Sequence, residues 1–440
     1  MNLTILWSVT VSIYLVGGTI GAFTPGLIVD RLGRKKSLIL LNVFSLIAAI
    51  FFGFCKKANS YEMLIIGRLL IGFSCGAGAG IVPMYLTEIA PVRIRGAMGV
   101  LHQLALTSGI FVSQAIGLRQ ILGSADRWPI LLAAIGLPCL LSGCVLYFMP
   151  DSPRHLLLNK KDRDAAEKAL KRLRNCSNVD LDLDEIEEEI IEEDEDDEQE
   201  PEWTLKSILA ADRLRLPLVL IIVLGSCQQL SGINAVFYYS SAIYESAGIA
   251  KQNIQYANLI TGFINVVITI ISVGLVEKAG RRVLLLGGMG AMVVSALTLM
   301  ISINLQEKVT WLSYIAIISV LFFVVGFAIG LGSIPQFIGA ELFRPGPRPI
   351  AMSIAGFFNW LCNFLVGIGF PPLAGVIGEY SFIIFIACII IFGLFIFKQL
   401  PETKQRTIEE IYTHFKRRST RRNGTARSKD THNMKALINS

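Results

Sequence analysis

Charged residues are scarce in this chain: they make up 17% of its 440 residues, whereas hydrophobic residues make up 53%. The interior of a soluble protein cannot hold that much apolar side-chain volume, because much of such a chain has to cover the surface. The apolar residues also fall in runs of about 20, the length of helix that crosses roughly 30 Å of hydrocarbon. The composition therefore excludes a soluble globular protein. It predicts an all-α membrane protein, because backbone amides in lipid must be paired within their own segment.

Motifs that bind metals or nucleotides are also missing. The eight cysteines show no CxxC or CxxH spacing, and the glycine-rich stretch 76–80 contains no GxGxxG motif. No GxxxxGKS or GxxxxGKT loop is present either. We therefore predict no cofactor, no metal site and no enzymatic activity. The net charge of +6 includes a basic tail from Lys416 onward, which we interpret as a cytoplasmic anchor and not as a nucleic-acid site.

Eleven apolar runs are long enough to span a membrane. They cover about 6–29, 38–55, 63–87, 97–118, 128–149, 215–244, 254–276, 283–303, 311–340, 350–371 and 380–399. Basic residues crowd into alternate turns, around 31–36, 93–95, 278–282 and 344–348, and the positive-inside rule places these turns in the cytoplasm. We therefore expect a multi-pass protein with a cytoplasmic C-terminus and, since the number of spans is odd, an external N-terminus.

Three motifs recur later in the chain, in the same order and at offsets of 247 to 253 positions. They are Asp30–Lys35 with Glu277–Arg282, Glu88 and Arg95 with Glu341 and Arg348, and Pro150–Arg154 with Pro401–Lys404. Agreement at nearly one offset predicts two similar halves. We expect a first helix bundle at 1–149, a cytoplasmic linker at 150–214, a second bundle at 215–400 and a basic cytoplasmic tail at 401–440.

The two halves differ by one helix. Aligning Asp30 with Glu277 gives the second bundle six runs and the first only five, with the missing run before 6–29. We therefore expect two six-helix bundles, the first of which lacks its first helix. In the linker, 159–175 has the charge pairing typical of short helices. The acidic run from Asp182 to Glu202 repels itself and is expected to be disordered.

Charged residues near the cytoplasmic ends of the spans form the first candidate functional group. Acidic residues so close to lipid are costly unless paired, so we expect ion pairs between helices, formed across the two halves. A duplicated set on one face can hold the halves together and release them, although each pair can also serve only to fix helix packing. The expected gating residues are Asp30, Arg34, Glu88, Arg95, Asp151, Arg154, Glu277, Arg281, Arg282, Glu341 and Arg348.

Side-chain amides form the second candidate group. An amide both donates and accepts hydrogen bonds, as a sugar hydroxyl does, without the desolvation cost of an ion. We expect Gly232 to break its helix beside them, as in transporters whose sites lie near the middle of the membrane. Any single amide can instead form only an interhelical hydrogen bond. The amides are Gln103, Gln114, Gln228, Gln229, Asn234, Asn265, Asn359 and Asn363.

Several stretches resemble the facilitative glucose transporters of the major facilitator superfamily. QQLSGINAVFYY at 228–239 is similar to the hallmark of that family, and the similarity covers about 5–415. Further matches are Gly67-Arg68, Pro83–Glu88, Pro150–Arg154, Ala340–Phe343 and Pro401–Lys404. The resemblance implies two six-helix bundles that rock about a central sugar site. Together with the amides, it predicts as sugar-binding residues Gln103, Gln228, Gln229, Asn234, Asn265, Gln336, Trp360 and Asn363.

Two positions depart from the family pattern. Ala328 stands where these transporters usually have an acid, and Gln336 stands where they usually have a tryptophan. We expect passive uniport of a hexose, with glucose as the first candidate, across the plasma membrane by alternating access. The choice among hexoses and the oligomeric state stay open. Two alternatives also stay open: a proton-coupled sugar symporter of the same fold, and a non-transporting sugar sensor or inert truncated variant.

Overall fold

The computed structural model describes residues 3–91, 95–158, 160–197, 205–238, 240–246, 248–305, 308–309, 311–344, 346–404, 406 and 410–415. Among these residues every regular element is a helix. The first group is α1 (Leu3–Ala22), α2 (Pro25–Leu32), α3 (Arg34–Phe54), α4 (Tyr61–Ile89), α5 (Arg95–Ile116), α6 (Trp128–Ala133) and α7 (Gly136–Phe148). The linker helices are α8 (Pro153–Leu158), α9 (Arg163–Arg174), α10 (Asp180–Asp197) and α11 (Leu205–Ala210).

The last group of helices contains two short turns of other helical types. Its α-helices are α12 (Asp212–Leu230), α13 (Ile233–Tyr238), α14 (Ser240–Ser246), α15 (Ile254–Ala279), α16 (Arg281–Leu305), α17 (Leu312–Phe327), α18 (Ile334–Leu342), α19 (Arg348–Ile377) and α20 (Phe382–Gln399). A π-helical turn, Ala328–Gly332, joins α17 to α18, and a 3₁₀ turn, Gly378–Ser381, joins α19 to α20.

Nine helical segments of the described residues are long and apolar enough to cross a membrane, and they coincide with nine of the eleven predicted runs. The first predicted run contains α1, whose apolar stretch, Val9–Ala22, is shorter than those nine segments. The remaining run corresponds to α5, which is 22 residues long and carries the polar residues His102, Gln103 and Gln114. The protein is therefore an all-α, multi-pass membrane protein.

Apolar side chains cover the outside of the helices as well as the core. On α7, the exposed fractions of Leu137 and Tyr147 are 64% and 73%, and Leu140, Leu141 and Val145 are also exposed. A contiguous apolar face of this kind is unfavourable in water and costs nothing against lipid chains. The surface composition agrees with the membrane assignment.

Four of the predicted runs consist of more than one helix. Pro25 begins α2 after a turn at 23–24, because proline has no backbone N–H with which to continue α1. The other interruptions lie between α6 and α7, at Gly232, and at the π-helical turn. Irregular backbone at membrane depth is tolerated where it is buried in protein or lines a cavity. The interruptions therefore mark places where backbone groups are available for other partners.

The spans pack into two groups that meet mainly along two helix pairs. In the first group α4 packs against α1 and α3; in the second, α12 packs against α19, and α16 packs against α17 and α20. The groups meet where α1 packs on α19 and where α5 packs on α15. At the first contact the ring of Trp360 covers Gly18, where an added Cβ would lie 2.1 Å from a ring atom. Small residues allow this close approach.

The linker is helical over more of its length than the sequence predicts. The prediction of short helices at 159–175 is confirmed by α9, in which Lys171 and Glu167 form an i,i+4 ion pair at 2.6 Å. The prediction that the acidic run is disordered is wrong up to Asp197, where α10 ends. Residues 198–202 of that run lie outside the described residues.

Packing and charge pairing explain why α10 forms. Leu183 and Ile186 are buried in one cluster with Leu170 of α9. Basic residues of α9 also compensate part of the acidic charge of α10. The pairs are Arg163–Glu187 at 3.0 Å and Arg174–Asp182 at 3.3 Å.

Candidate functional site

Four amide side chains join three helices in what we call the amide cluster: Gln228, Gln229, Asn234 and Asn359. Gln229 Nε2 donates to Asn359 Oδ1 at 2.9 Å. Asn359 Nδ2 donates to Gln228 Oε1 at 2.7 Å, and Asn234 Nδ2 donates to Gln229 Oε1. The cluster thus connects α12, α13 and α19 without any formal charge. Such a set can exchange hydrogen bonds with a neutral, hydroxylated ligand.

The break between α12 and α13 places this cluster. Gly232 has φ +88°, a conformation that residues with a Cβ rarely adopt, and α13 begins at the next residue. A Cβ at this position would also lie 2.5 Å from the ring of Phe385. The predicted helix break at Gly232 is therefore confirmed. It turns Asn234 back so that its side chain reaches Gln229, five residues earlier.

The π-helical turn engages one member of the amide cluster fully. Gln228 Nε2 donates to the carbonyl oxygens of Leu331 and Gly332, at 2.7 and 3.2 Å. Its amide nitrogen is therefore held by two backbone carbonyls within the protein. Gln229 and Asn234 each donate a single hydrogen bond to the described residues. Gln228 thus positions the cluster, whereas Gln229 and Asn234 retain an amide hydrogen that a ligand can accept.

The remaining predicted sugar-binding residues lie on the helices that join the two groups. Gln103, Asn265 and Asn363 are buried, and Oδ1 of Asn265 accepts no hydrogen bond from the described residues. The ring of Trp360 meets Tyr14 of α1 edge to face, with centroids 5.7 Å apart. The side chain of Gln336 lies outside the described residues.

A first charged cluster, the Arg34 cluster, lies where α3 begins and α4 ends. It consists of Arg34, Glu88, Asp151 and His155. Arg34 Nε and Nη2 donate to Glu88 Oε1 at 3.1 and 2.9 Å, and the two side chains are 11% and 12% exposed. Arg34 Nη1 lies 2.9 Å from Nδ1 of His155. Since a guanidinium has only donors, that imidazole nitrogen is the acceptor.

A second cluster, the Arg281 cluster, has the same plan at the start of α16. It consists of Arg281, Glu341, Glu402 and Thr403. Arg281 Nε and Nη2 donate to Glu341 Oε1 at 3.1 and 2.9 Å, and Nη1 donates to the carbonyl oxygen of Val276 at 3.3 Å. Thr403 Oγ1 donates to the other carboxylate oxygen of Glu341 at 2.5 Å. The repeat in the sequence is therefore a repeat in side-chain geometry.

Each cluster also contains a carboxylate that caps a helix. Asp151 Oδ1 accepts from the backbone N–H of Lys35 at 3.3 Å, in the first turn of α3. Glu402 accepts from the backbone N–H groups of Arg281 and Arg282, at 2.9 and 3.1 Å. These N–H groups have no partner inside their own helix, and the helix dipole favours a negative charge there. The caps hold the segment after α7 against the start of α3, and the segment after α20 against the start of α16.

The other predicted gating residues have different partners. Arg282 Nη2 donates to the carbonyl oxygen of Phe397 at 2.5 Å, and Arg348 Nε and Nη2 donate to that of Phe343 at 3.3 and 3.1 Å. Arg154 is half-buried in α8. The side chains of the remaining three lie outside the described residues. They are Asp30, Arg95 and Glu277.

The expectation that the ion pairs cross between the two halves is wrong for the pairs of these two clusters. Arg34–Glu88 joins α3 to α4, and Arg281–Glu341 joins α16 to α18, so each pair lies within one group of spans. The physical reason follows from the duplication. Each repeat contains both an arginine and a glutamate, so each can neutralise its own buried charge.

Comparison with known proteins identifies the family. The family model described as "Sugar (and other) transporter" matches residues 1–415. The chain belongs to this sugar transporter family. The facilitated glucose transporter member 3 of solute carrier family 2 from Ovis aries is 46% identical to this sugar transporter over 413 residues, 94% of the chain and 82% of the relative. Member 1 from Gallus gallus is 43% identical over 415 residues, 94% of the chain and 84% of the relative.

Solved structures show the fold of this sugar transporter. The major facilitator proton:xylose symporter XylE bound to 6-bromo-6-deoxy-D-glucose has a TM-score of 0.77 at 24% identity, over 93% of this chain and 89% of that one. The xylose transporter XylE from E. coli, in a partially occluded inward open conformation, has a TM-score of 0.76 at 25% identity, over 91% and 89%. The major facilitator fold expected from the resemblance is confirmed.

Four residues of these sites in the sugar transporter were not predicted to have their observed roles. Glu402 and Thr403 follow Pro401, and the offset of 251 from Pro150 could have marked Glu402 as the counterpart of Asp151. Asn359 is named among the amides but not among the sugar-binding residues. His155 has no counterpart in the repeated motif. Nothing in the sequence brings its ring to Arg34, since that contact exists only when α8 packs beside α4.

Proposed function

We propose that this protein carries a hexose, with glucose as the first candidate, passively across the plasma membrane. The observation that carries the proposal is the uncharged amide cluster at the break between α12 and α13. A sugar has no charge for an ion to attract, and it needs partners that both donate and accept. The relatives named facilitated glucose transporters, at 46% and 43% identity over most of the chain, support the same substrate class.

The sugar is proposed to bind where the two groups of spans meet. Gln229 and Asn234 supply amide hydrogens, and Oδ1 of Asn265 supplies an acceptor that the described residues leave unused. Gln103, Asn363 and Gln336 complete the set in this proposal. Trp360 offers a ring beside the contact with α1. Gln228 acts by holding Asn359 and the π-helical turn in place.

Transport is proposed to proceed by alternating access of two bundles, 1–149 and 215–400, with the linker 150–214, the Arg34 and Arg281 clusters and the tail 401–440 in the cytoplasm. The contacts of α1 with α19 and of α5 with α15 provide the surfaces along which one bundle moves against the other. The two charged clusters tie α3 to α4 and α16 to α18, so that the cytoplasmic end of each bundle moves as one body. Binding must be weak enough for release on the other side.

Proton-coupled symport is the second candidate, and an imposed pH gradient distinguishes it from uniport. A symporter needs a group within the membrane that takes up the proton. The carboxylates of the described spans lie at the helix ends, as Glu62 and Glu88 do in α4. XylE, a proton:xylose symporter, shares the fold with this chain at 24% identity.

Uptake of radiolabelled glucose into proteoliposomes tests the proposal. We expect saturable uptake that an imposed pH gradient does not drive. The variants Gln229→Leu and Asn234→Ala should each raise the glucose concentration needed for half-maximal uptake by about 5- to 150-fold. This is equivalent to about 1–3 kcal/mol for an unsatisfied polar group. Asn304→Ala is the matched control, because this exposed amide donates only within α16.

Three results would count against the proposal. Unchanged half-saturation in both amide variants would remove the cluster from the sugar site. Uphill accumulation driven by the pH gradient would replace uniport by symport. Binding of hexose without uptake would favour a sensor.

A further inference from the structure

His155 is a buried titratable group that alternating access, as proposed above, does not use. It is 2% exposed and lies in α8. Its Nδ1 accepts from Nη1 of Arg34 at 2.9 Å, while the Nε and Nη2 groups of the same guanidinium bind Glu88. One arginine therefore bridges the acid on α4 and the imidazole on α8.

The Arg281 cluster shows what is particular to this contact. There the corresponding Nη1 donates to a carbonyl oxygen, that of Val276. A carbonyl accepts a hydrogen bond at every pH, whereas an imidazole nitrogen accepts only while it carries no proton. Histidine is the side chain whose charge ordinarily changes between about pH 5 and pH 8. The two clusters therefore differ in whether their third contact can be switched off.

Charged and titratable groups lie on each helix that packs with α8, namely α4, α9 and α10. Glu88 binds Arg34, and Oδ1 of Asp151 accepts from the backbone N–H of Lys35, while Oδ2 of Asp151 and Nε2 of His155 both lie beside Gly33. On α4, the hydroxyl of Tyr85 donates to the carbonyl oxygen of Pro150. The other groups on its own segment and on the packed linker helices are Arg154, Arg174 and Asp182.

The contact with Arg34 sets the direction of the effect. A proton on Nδ1 removes the acceptor for Nη1 and places a second cation against the guanidinium. The neutral form therefore supports the Arg34 cluster. That support is lost as the pH falls.

We propose that His155 is a positioning residue that holds Arg34 on Glu88 while it is neutral, and that its protonation from the cytoplasm loosens the Arg34 cluster and slows hexose transport. This proposal rests on the proposed transport function and on the cytoplasmic location of the cluster. No proton is carried across the membrane in it. The proton only changes the strength of a contact at one end of the first bundle.

The test is glucose uptake into cells that express the full chain, with the cytoplasmic pH clamped by an ionophore and the external pH held constant. We expect wild-type uptake to fall as the cytoplasmic pH is lowered from about 7.5, with a total loss of about fivefold, the equivalent of losing one hydrogen bond. His155→Asn keeps an acceptor oxygen near the position of Nδ1 but does not titrate. Its ratio of rates at the two ends of this pH range should be close to one. The ratio does not depend on expression level.

His414→Asn is the matched control, since His414 is an exposed histidine in the described part of the tail. Its ratio should equal that of the wild type. Thermal unfolding in detergent at the same two pH values measures the cluster without transport. The midpoint of the wild type should fall more on acidification than that of His155→Asn.

Two outcomes would overturn the proposal. One is wild-type uptake that does not respond to cytoplasmic pH. The other is a His155→Asn variant that responds as strongly as the wild type, which would place the proton elsewhere, as in symport. If no glucose uptake occurs at either pH, transport itself is rejected, and the unfolding midpoints still decide the role of His155: an equal fall in both proteins excludes it.

Discussion

The Arg34 cluster and the Arg281 cluster have one plan and differ in the contacts around the arginine–glutamate pair. In both, the Nε and Nη2 groups of the arginine donate to one oxygen of the glutamate, at matching distances of 3.1 and 2.9 Å. In the Arg281 cluster a threonine hydroxyl binds the second carboxylate oxygen, and a carbonyl binds the third arginine nitrogen. In the Arg34 cluster the third arginine nitrogen binds Nδ1 of His155, and Oε2 of Glu88 lies 2.8 Å from Nε of Arg34 with no further donor among the described residues.

This difference shows which part of a duplicated site is constrained. The arginine–glutamate pair and the capping carboxylate occur in both halves, because each removes a charge or a free N–H group that is costly near lipid. The contacts around them differ between the halves. The Arg34 cluster is also the less exposed of the two, with side chains 11% and 12% exposed against 19% and 24%. It therefore depends more strongly on its partners.

Neutralising the acid in each cluster should give the largest effects. Glu88→Gln preserves size but leaves Arg34 partly buried beside an uncharged partner, and breaking a buried pair costs up to about 3–5 kcal/mol. Glu341→Gln should cost less, because its arginine is more exposed to solvent and Thr403 can still donate to the amide oxygen. Glucose uptake per molecule and the unfolding midpoint of both variants measure the difference. Equal losses would show that burial does not distinguish the clusters.

Neutralising the capping carboxylates should have an intermediate effect. Here the variant in the Arg281 cluster should lose more stability than the variant in the Arg34 cluster. Glu402 accepts from two N–H groups of α16, whereas Asp151 accepts from one N–H group of α3. We expect about 1 kcal/mol for Asp151→Asn and somewhat more for Glu402→Gln, from lost capping and helix-dipole stabilisation. Unfolding midpoints measure both. A larger loss for Asp151→Asn would mean that this residue acts mainly through charge and not through capping.

An exposed ion pair elsewhere provides the smallest effect. Lys56 Nζ lies 3.0 Å from Asp126 Oδ1, but the two side chains are 44% and 94% exposed. Exposed pairs contribute about 0–1 kcal/mol and are screened by salt. Lys56→Ala should therefore change uptake and the unfolding midpoint much less than either glutamate variant. A loss as large as that of Glu88→Gln would show that distance alone, and not burial, sets the strength of these pairs.

Much of the fold could be predicted from the sequence. The positions of the apolar runs, the two repeated turns and the break at Gly232 depend on hydropathy, on glycine and on proline, which act over a few residues. The linker shows the limit of that reasoning. The charge of α10 by itself favours disorder, and its helix forms because Leu183 and Ile186 are buried against α9.

The candidate sites divide in the same way. The sequence by itself determined that uncharged amides would lie within the spans and that Arg34, Glu88, Arg281 and Glu341 would recur as a set, since residue type and spacing are local properties. Only the tertiary structure decided the partners. Asn359 lies 130 positions from Gln229 and His155 lies 121 positions from Arg34, and such contacts depend on how whole helices pack. Packing sets distances to within a hydrogen bond, and a pattern of residue types along one chain does not contain that information.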